Sequence, residues 1–168
     1  METKHKISIF SLFLLIILIL ISSSISMAGE YDSLKGVKSV KTVFDFRIAD
    51  PMSAAVHLDL MLKTFKDSNL TINSTKPDFA VIFMGPSVKL VSKNREGFSA
   101  EQQKYLDTIA KTVSDMAENG IKLEICLAAV RLTGVDPGSI YSEFKQVPNG
   151  WISSIGYQLN GYALIDNF

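Results

Sequence analysis

Gly120-Ile121-Lys122-Leu123-Glu124-Ile125-Cys126-Leu127-Ala128-Ala129-Val130-Arg131 is the stretch on which the fold turns. Ile121 to Leu127 reads as a strand, and Ala128 to Leu132 as a helical turn stopped by Gly134. Within the strand Ile121, Leu123 and Ile125 share one face, while Cys126 shares the other with Lys122 and Glu124. A strand that runs directly into a helix is one unit of an alternating chain, and similar units lie on both sides of it. Upstream, Ser99 and Gln102 form a capping box that opens a helix, in which Leu106, Ile109, Ala110, Val113, Met116 and Ala117 keep helical spacing until Gly120 closes it. Before that helix, Phe79 to Met84 is an unbroken apolar run between Pro77-Asp78 and Gly85-Pro86, the pattern of a strand covered on both faces. Ser87 to Asn94 suits a short helix, and Arg95 to Phe98 an exposed connector.

Further upstream, Val40 to Phe46 is β-branched and aromatic, and Asp50-Pro51 supplies an N-cap and a first helical residue. The helix that follows turns Ala55, Leu58, Met61, Leu62 and Phe65 inward and keeps His57, Lys63 and Lys66 off that stripe. Downstream, Phe144 to Val147 is a strand and Pro148-Asn149-Gly150 a turn. Trp151, Ile152, Ile155 and Leu159 mark a final amphipathic helix, and Tyr162 to Ile165 is the last strand. The alternation predicts an α/β fold, a three-layer sandwich with a mostly parallel five-stranded sheet. Ligands of such sheets bind beyond the carboxyl ends of the strands, which singles out Asp50, Gly85, Pro86, Cys126, Arg131 and Pro148 as candidate pocket residues.

The chain has 168 residues with 17 basic and 17 acidic side chains, a formal charge of zero that excludes a strongly basic nucleic-acid binder. With 47% hydrophobic and 20% charged residues it is a packed globular chain and not a disordered one. Part of that hydrophobicity is concentrated near the start, where Lys4, His5 and Lys6 precede Ile7 to Ile21, an apolar run interrupted only by Ser8 and Ser11. Ser26-Met27-Ala28 then places small side chains where a signal peptidase requires them, so residues 1–28 are expected to be a signal peptide cleaved after Ala28. The protein is accordingly expected to be exported, periplasmic or secreted. Left uncleaved, the same segment would be an N-terminal anchor tethering the protein to a membrane, although the run is shorter than the roughly 18 to 20 residues of a comfortable span. Residues 29–39 read as a polar lead-in and residues 40–168 as one domain. After cleavage the formal charge is minus one, which points to neither nucleic acid nor an anionic lipid surface as a partner.

Cys126 is the single cysteine, so no intramolecular disulfide can form, and it is the main candidate for chemistry. A cysteine at a helix N-terminus meets unpaired backbone N–H groups that favour thiolate over thiol, and Arg131 is expected to add to the effect. A buried cysteine filling a small apolar gap is the competing reading. His57 lies opposite the apolar stripe and reads as an exposed polar residue. One histidine and one cysteine after export cannot build a closed zinc site, and no acidic spacing suggests another metal, so neither a metal nor a cofactor is expected. Gly85-Pro86-Ser87 lacks the pattern of a phosphate-binding loop. Asn69 and Asn73 head glycosylation acceptor patterns best read as chance. Trp151, Tyr157 and Tyr162 read as helix and sheet packing.

The Gly120 to Arg131 stretch resembles the cysteine segment of the DsrE/DsrF/TusD sulfur-relay family, a strand ending in Cys followed by small residues. Gly134-Val135-Asp136, Val147-Pro148-Asn149-Gly150 and Gln158-Leu159-Asn160-Gly161-Tyr162-Ala163 are similar to the C-terminal half of its domains, and Met84-Gly85-Pro86 resembles their second strand and loop. The likeness spans Val40 to Asn167. It implies a DsrEFH-like domain, assembled as a trimer or hexamer, in which Cys126 takes up sulfane sulfur as a persulfide and passes it on. The partners implied are sulfur donor and acceptor proteins or small thiols. The expected function is therefore a persulfide carrier or sulfurtransferase centred on Cys126. Its rivals are a non-catalytic oligomeric binding module and an exported thiol redox sensor.

Overall fold

The computed structural model describes residues 31–167, and the expected export segment lies outside them. The chain divides into two units, residues 1–35 and 36–168. Of the first, the described residues hold a 3-10 turn, Asp32–Leu34. In the second, β1 (Lys41–Phe46) leads to α1 (Pro51–Phe65), then β2 (Asp78–Phe83), α2 (Ala100–Glu118), β3 (Lys122–Cys126), α3 (Leu127–Thr133), β4 (Lys145–Val147), α4 (Gly150–Leu159) and β5 (Ala163–Asn167). The strands pair in parallel throughout, in the order β4-β3-β2-β1-β5. The α/β sandwich expected from the alternation is thus the observed fold.

The local signals act as chemistry requires. Asp50 accepts the Ser53 N–H at 2.8 Å and Pro51 occupies the first turn of α1. Both bonds of the Ser99–Gln102 capping box open α2. At its other end the Ile121 N–H reaches Met116 O and the Gly120 N–H reaches Ala117 O, each at 3.0 Å, with Gly120 at φ +86 where a side chain would be strained. The short helix expected over Ser87 to Asn94 is a 3-10 helix over Gly85–Val91, starting two residues earlier and ending before Ser92. Its Ser87 hydroxyl, fully buried, donates to Phe46 O at 2.8 Å and Met84 O at 2.9 Å, joining the ends of β1 and β2.

The strand register separates the two faces of the sheet. Phe44, Phe46, Phe79, Val81, Phe83, Leu123 and Ile125 lie on the first, against α1, where Phe65 meets the Phe79 ring at 5.4 Å and Phe79 meets Phe44 at 5.2 Å. Each fully buried phenylalanine there stabilises the fold by about 1.5–3 kcal/mol relative to an exposed one. The second face carries Val43, Asp45, Ile82, Glu124 and Cys126, and α4 lies on it, with Ser153 and Tyr157 donating hydroxyl hydrogen bonds to the Glu124 carboxylate. Right-handed crossovers set this division. The steps from β1 to β4 all move in one direction, so their helices share a face, whereas the step from β4 back to β5 reverses direction and puts α4 on the other. The connections after β3 and β4 therefore part company and leave a crevice at the carboxyl edge, where Cys126 ends its strand.

Helix α4 departs from the expected packing. Its buried residues are Gly150 and Ser154, whereas Trp151, Ile152, Ile155 and Leu159 are 63%, 68%, 55% and 83% exposed. The physical reason is beneath it: Glu124 is buried in the sheet face, and its carboxyl oxygens require hydrogen-bond partners, so the polar side of the helix turns inward. Trp151 is accordingly not a packing residue. Tyr157 and Tyr162 do pack, ring on ring at 4.8 Å.

Candidate functional site

A pocket of about 260 Å³ occupies the crevice. Four strand ends contribute to it: Arg47 after β1, Met84 and Gly85 after β2, Cys126 ending β3, and Asn149 and Trp151 after β4. Ala128, Ala129, Leu132 and Thr133 of α3 complete the wall. Cys126 is the N-cap of α3, a helix of seven residues, and its side chain makes no capping hydrogen bond. Only 6% of the residue reaches solvent, so the sulfur belongs to the pocket wall and not to the open surface. Helix α3 stops at Gly134, which takes φ +73 and returns its N–H to Arg131 O and Val130 O.

Gly150 is the closest approach in the site. A Cβ added there would stand 2.5 Å from Met84 Sδ and 3.1 Å from Cys126 Cβ, so the missing side chain is what lets α4 enter beside the cysteine. Asn149 prepares that entry, its side-chain oxygen accepting the Trp151 N–H at 2.9 Å. Among the described residues Arg47 is the one cation of the wall. Its Nε and Nη2 donate to the two oxygens of Asp45 at 2.8 and 2.7 Å, a fork-on-fork pairing that compensates a carboxylate buried in the sheet. The Asp45 hydrogen bonds hold the Arg47 guanidinium above its ordinary value against the opposing effect of burial, with smaller contributions from Asp166 and Cys126. The Arg47 N–H donates to Asn167 O at 2.8 Å, tying β5 to the same corner.

Of the residues expected around Cys126, Gly85 lines the pocket. Asp50, Pro86, Arg131 and Pro148 do not: all four are exposed and absent from the wall. Asp50 is engaged as the α1 cap, where hydrogen bonds from Ser53 hold its carboxyl below its ordinary value. Arg131 sits in the last turn of α3, so it is carried away from the sulfur at the other end of that helix. His57 is exposed on α1 and meets Asn167 Oδ1 at 2.6 Å through Nδ1. Arg47, Leu132, Asn149 and Trp151 were not singled out as wall residues by sequence reasoning. Arg47 did leave a trace: Asp45 and Arg47 alternate at the end of an apolar strand, which is how an ion pair on one sheet face appears in a sequence.

A second set of charges lies at the opposite edge of the sheet. Lys122 Nζ meets both oxygens of Asp78 at 2.6 and 2.7 Å, and the Tyr162 hydroxyl donates to Asp78 at 2.6 Å. Burial alone would raise the Asp78 carboxyl, but Lys122 and Tyr162 outweigh it and hold it below its ordinary value. These groups start β2, β3 and β5 and fasten strands, far from Cys126. Under α4, burial and then the Glu124 charge push the Tyr157 hydroxyl up to about 12. Among the described residues no group of three His, Cys, Asp or Glu side chains could hold a metal ion, and no helix is long and apolar enough to cross a membrane.

The sequence model of the DsrE/DsrF-like family matches residues 47–166, from the pocket arginine to the last strand. The chain belongs to the DsrE/DsrF-like family. Among solved structures the fold matches a protein of unknown function, MTH1491 from Methanobacterium thermoautotrophicum, with a TM-score of 0.59 over 76% of this chain and 99% of that one, at 16% identity. That likeness is one of fold. No curated protein matches the chain.

Proposed function

We propose that this DsrE/DsrF-like protein carries sulfane sulfur as a persulfide on Cys126. One observation supports the reading above others: the only cysteine of the chain lines the pocket at the crevice where the connections after β3 and β4 diverge, the place where sheets of this kind bind ligands. Membership of the DsrE/DsrF-like family supports a sulfur-relay related role. The step balances without an added oxidant. The Cys126 thiolate attacks the outer sulfur of a donor R–S–SH, the donor S–S bond breaks, RS⁻ leaves, and Cys126 holds –S–SH. An acceptor thiolate then removes the outer sulfur and restores the Cys126 thiolate. With no second cysteine, the persulfide cannot resolve as an internal disulfide and persists until an acceptor arrives. The pocket is smaller than most ligand cavities, which favours a small thiol or a protein cysteine as the transfer partner.

Intact mass spectrometry after treatment with a sulfane-sulfur donor tests this. Wild type should gain one cyanide-labile sulfur, Cys126→Ser none, and an acceptor thiol should remove it. A wild type that gains no sulfur, or a variant that gains as much, rejects the carrier. The apolar wall of Met84, Ala128, Ala129 and Leu132 favours a second reading, a non-catalytic binding module. In that case ligand binding survives Cys126→Ser. The carrier is further proposed to act after export. N-terminal sequencing of protein from the producing cell should then begin at Gly29, and a full-length cytoplasmic product would reject export.

A further inference from the structure

Glu124 is a buried carboxyl that the sulfur-transfer step does not use, and it stands two residues before Cys126 on the same face of β3. Helix α4 takes both of its oxygens: Ser153 donates to Oε2, and Tyr157 donates to Oε1 at 3.2 Å. Lys145 of β4, itself exposed, lies 3.8 Å from Oε1. Because burial and then the Glu124 charge push the Tyr157 hydroxyl up to about 12, that hydroxyl remains a donor at neutral pH. Residues three and four apart share one side of a helix, so Gly150, Ser153 and Tyr157 form a single line along which α4 meets the sheet. That line begins where a Cβ on Gly150 would stand 3.1 Å from Cys126 Cβ, and Asn149 and Trp151 on either side of Gly150 belong to the pocket wall. The buried residues of α4 are Gly150 and Ser154, so the helix has little apolar surface against the sheet to keep it in place.

We propose that Glu124 is a positioning residue of the Cys126 pocket, a latch that holds α4 closed beside the sulfur and so restricts the pocket to small reagents and donors. Hydrogen bonds are short and directional, so two of them, from residues one helical turn apart, fix both the rotation of α4 and its height along β3. Apolar packing would hold the helix without selecting one register, whereas a buried carboxyl left without its hydroxyls is penalised, which disfavours any slide of α4 away from the sheet. With α4 fixed, Asn149 and Trp151 face Ala128, Ala129 and Leu132 of α3 across the pocket at a set width, and Cys126 stays 6% exposed. Released, α4 would part from α3 and open the sulfur to larger molecules. The inference rests on Cys126 as the sulfur carrier only in naming what the pocket admits; the latch itself concerns access to the thiol.

Alkylation of Cys126 on the full chain, with iodoacetamide as the small reagent and fluorescein maleimide as the bulky one, reads the latch as the ratio of the two rates, each divided by its rate with free N-acetylcysteine. Wild type should favour iodoacetamide. Glu124→Leu, and separately the double variant Ser153→Ala with Tyr157→Phe, should raise the bulky rate relative to the small one at least about tenfold, the population shift expected from losing two buried hydrogen bonds. Should Glu124→Leu fail to fold, the double variant decides. Glu124→Gln still offers an oxygen and an amide to the two hydroxyls and should stay within about threefold of wild type. Asp78→Asn unfastens strands at the opposite edge of the sheet and should leave the ratio unchanged, whereas a role confined to stability would move it there as well. The latch is overturned by a ratio that does not change in the folded latch variants, by Glu124→Gln as open as the double variant, or by Asp78→Asn as open as either. Uptake of cyanide-labile sulfur is measured in the same samples: a wild type that takes up none while the rates behave as expected rejects the carrier and upholds the latch, and one that takes up sulfur while the ratio never changes overturns the latch alone.

Discussion

Gly150→Ala is the sharpest perturbation of the site. The added methyl would stand 2.5 Å from Met84 Sδ, 2.8 Å from Met84 Cγ and 3.1 Å from Cys126 Cβ, where comfortable contacts lie at about 3.5–4.0 Å. Met84 must therefore retreat by roughly 1 Å, and it is 3% exposed, inside a close-packed wall with little room to give. Overpacking of this size costs about 1–3 kcal/mol, offset by about 0.5 kcal/mol from the better helix propensity of alanine at the first residue of α4. The expected net loss is about 0.5–2.5 kcal/mol in urea denaturation, with an unchanged slope. A double-mutant cycle isolates the cause. Met84→Ala alone should cost about 2–5 kcal/mol, and the pair should be at least about 1 kcal/mol more stable than the sum predicts, because the alanine methyl enters the space that methionine vacates. Alkylation of Cys126 by iodoacetamide should slow in Gly150→Ala and recover in the pair. An additive cycle, or a Gly150→Ala protein as stable as wild type, would refute the packing account of this corner.

Three further outcomes follow from the charges. Arg47→Ala leaves Asp45 buried without its fork and should cost about 2–4 kcal/mol by denaturant titration, with Arg47→Lys recovering only part because an ammonium cannot reproduce the paired bonds. Tyr157 should be the last tyrosine to ionise in an ultraviolet titration, near 12, and Tyr157→Phe should remove that step; because its folded value is raised, the stability it contributes is complete below about 10 and is lost between about 10 and 12. Asp78→Asn should lower the denaturation midpoint at pH 7. Because the folded Asp78 value is depressed, the difference from wild type should persist above about pH 4 and disappear as the pH falls through the folded value.

The sequence by itself determined the elements and their order. Apolar alternation, the Asp50-Pro51 start, the Ser99–Gln102 box and the closing glycines are local signals, decided within a turn or two of chain, and the structure follows them. The strand-terminal place of Cys126 was legible for the same reason, as was the family, since residues 47–166 carry its pattern. What surrounds Cys126 was not, because a pocket at a parallel sheet is assembled from the ends of strands that lie tens of residues apart. Only the order β4-β3-β2-β1-β5 brings Arg47, Met84 and Asn149 to one corner and leaves Asp50, Arg131 and Pro148 outside it. The orientation of α4 was equally out of reach. Helical periodicity reports that one side is apolar and the other polar, but which side turns inward depends on what lies beneath, and here a buried Glu124 from another strand demanded the hydroxyls of Ser153 and Tyr157 and left Trp151, Ile152, Ile155 and Leu159 facing out.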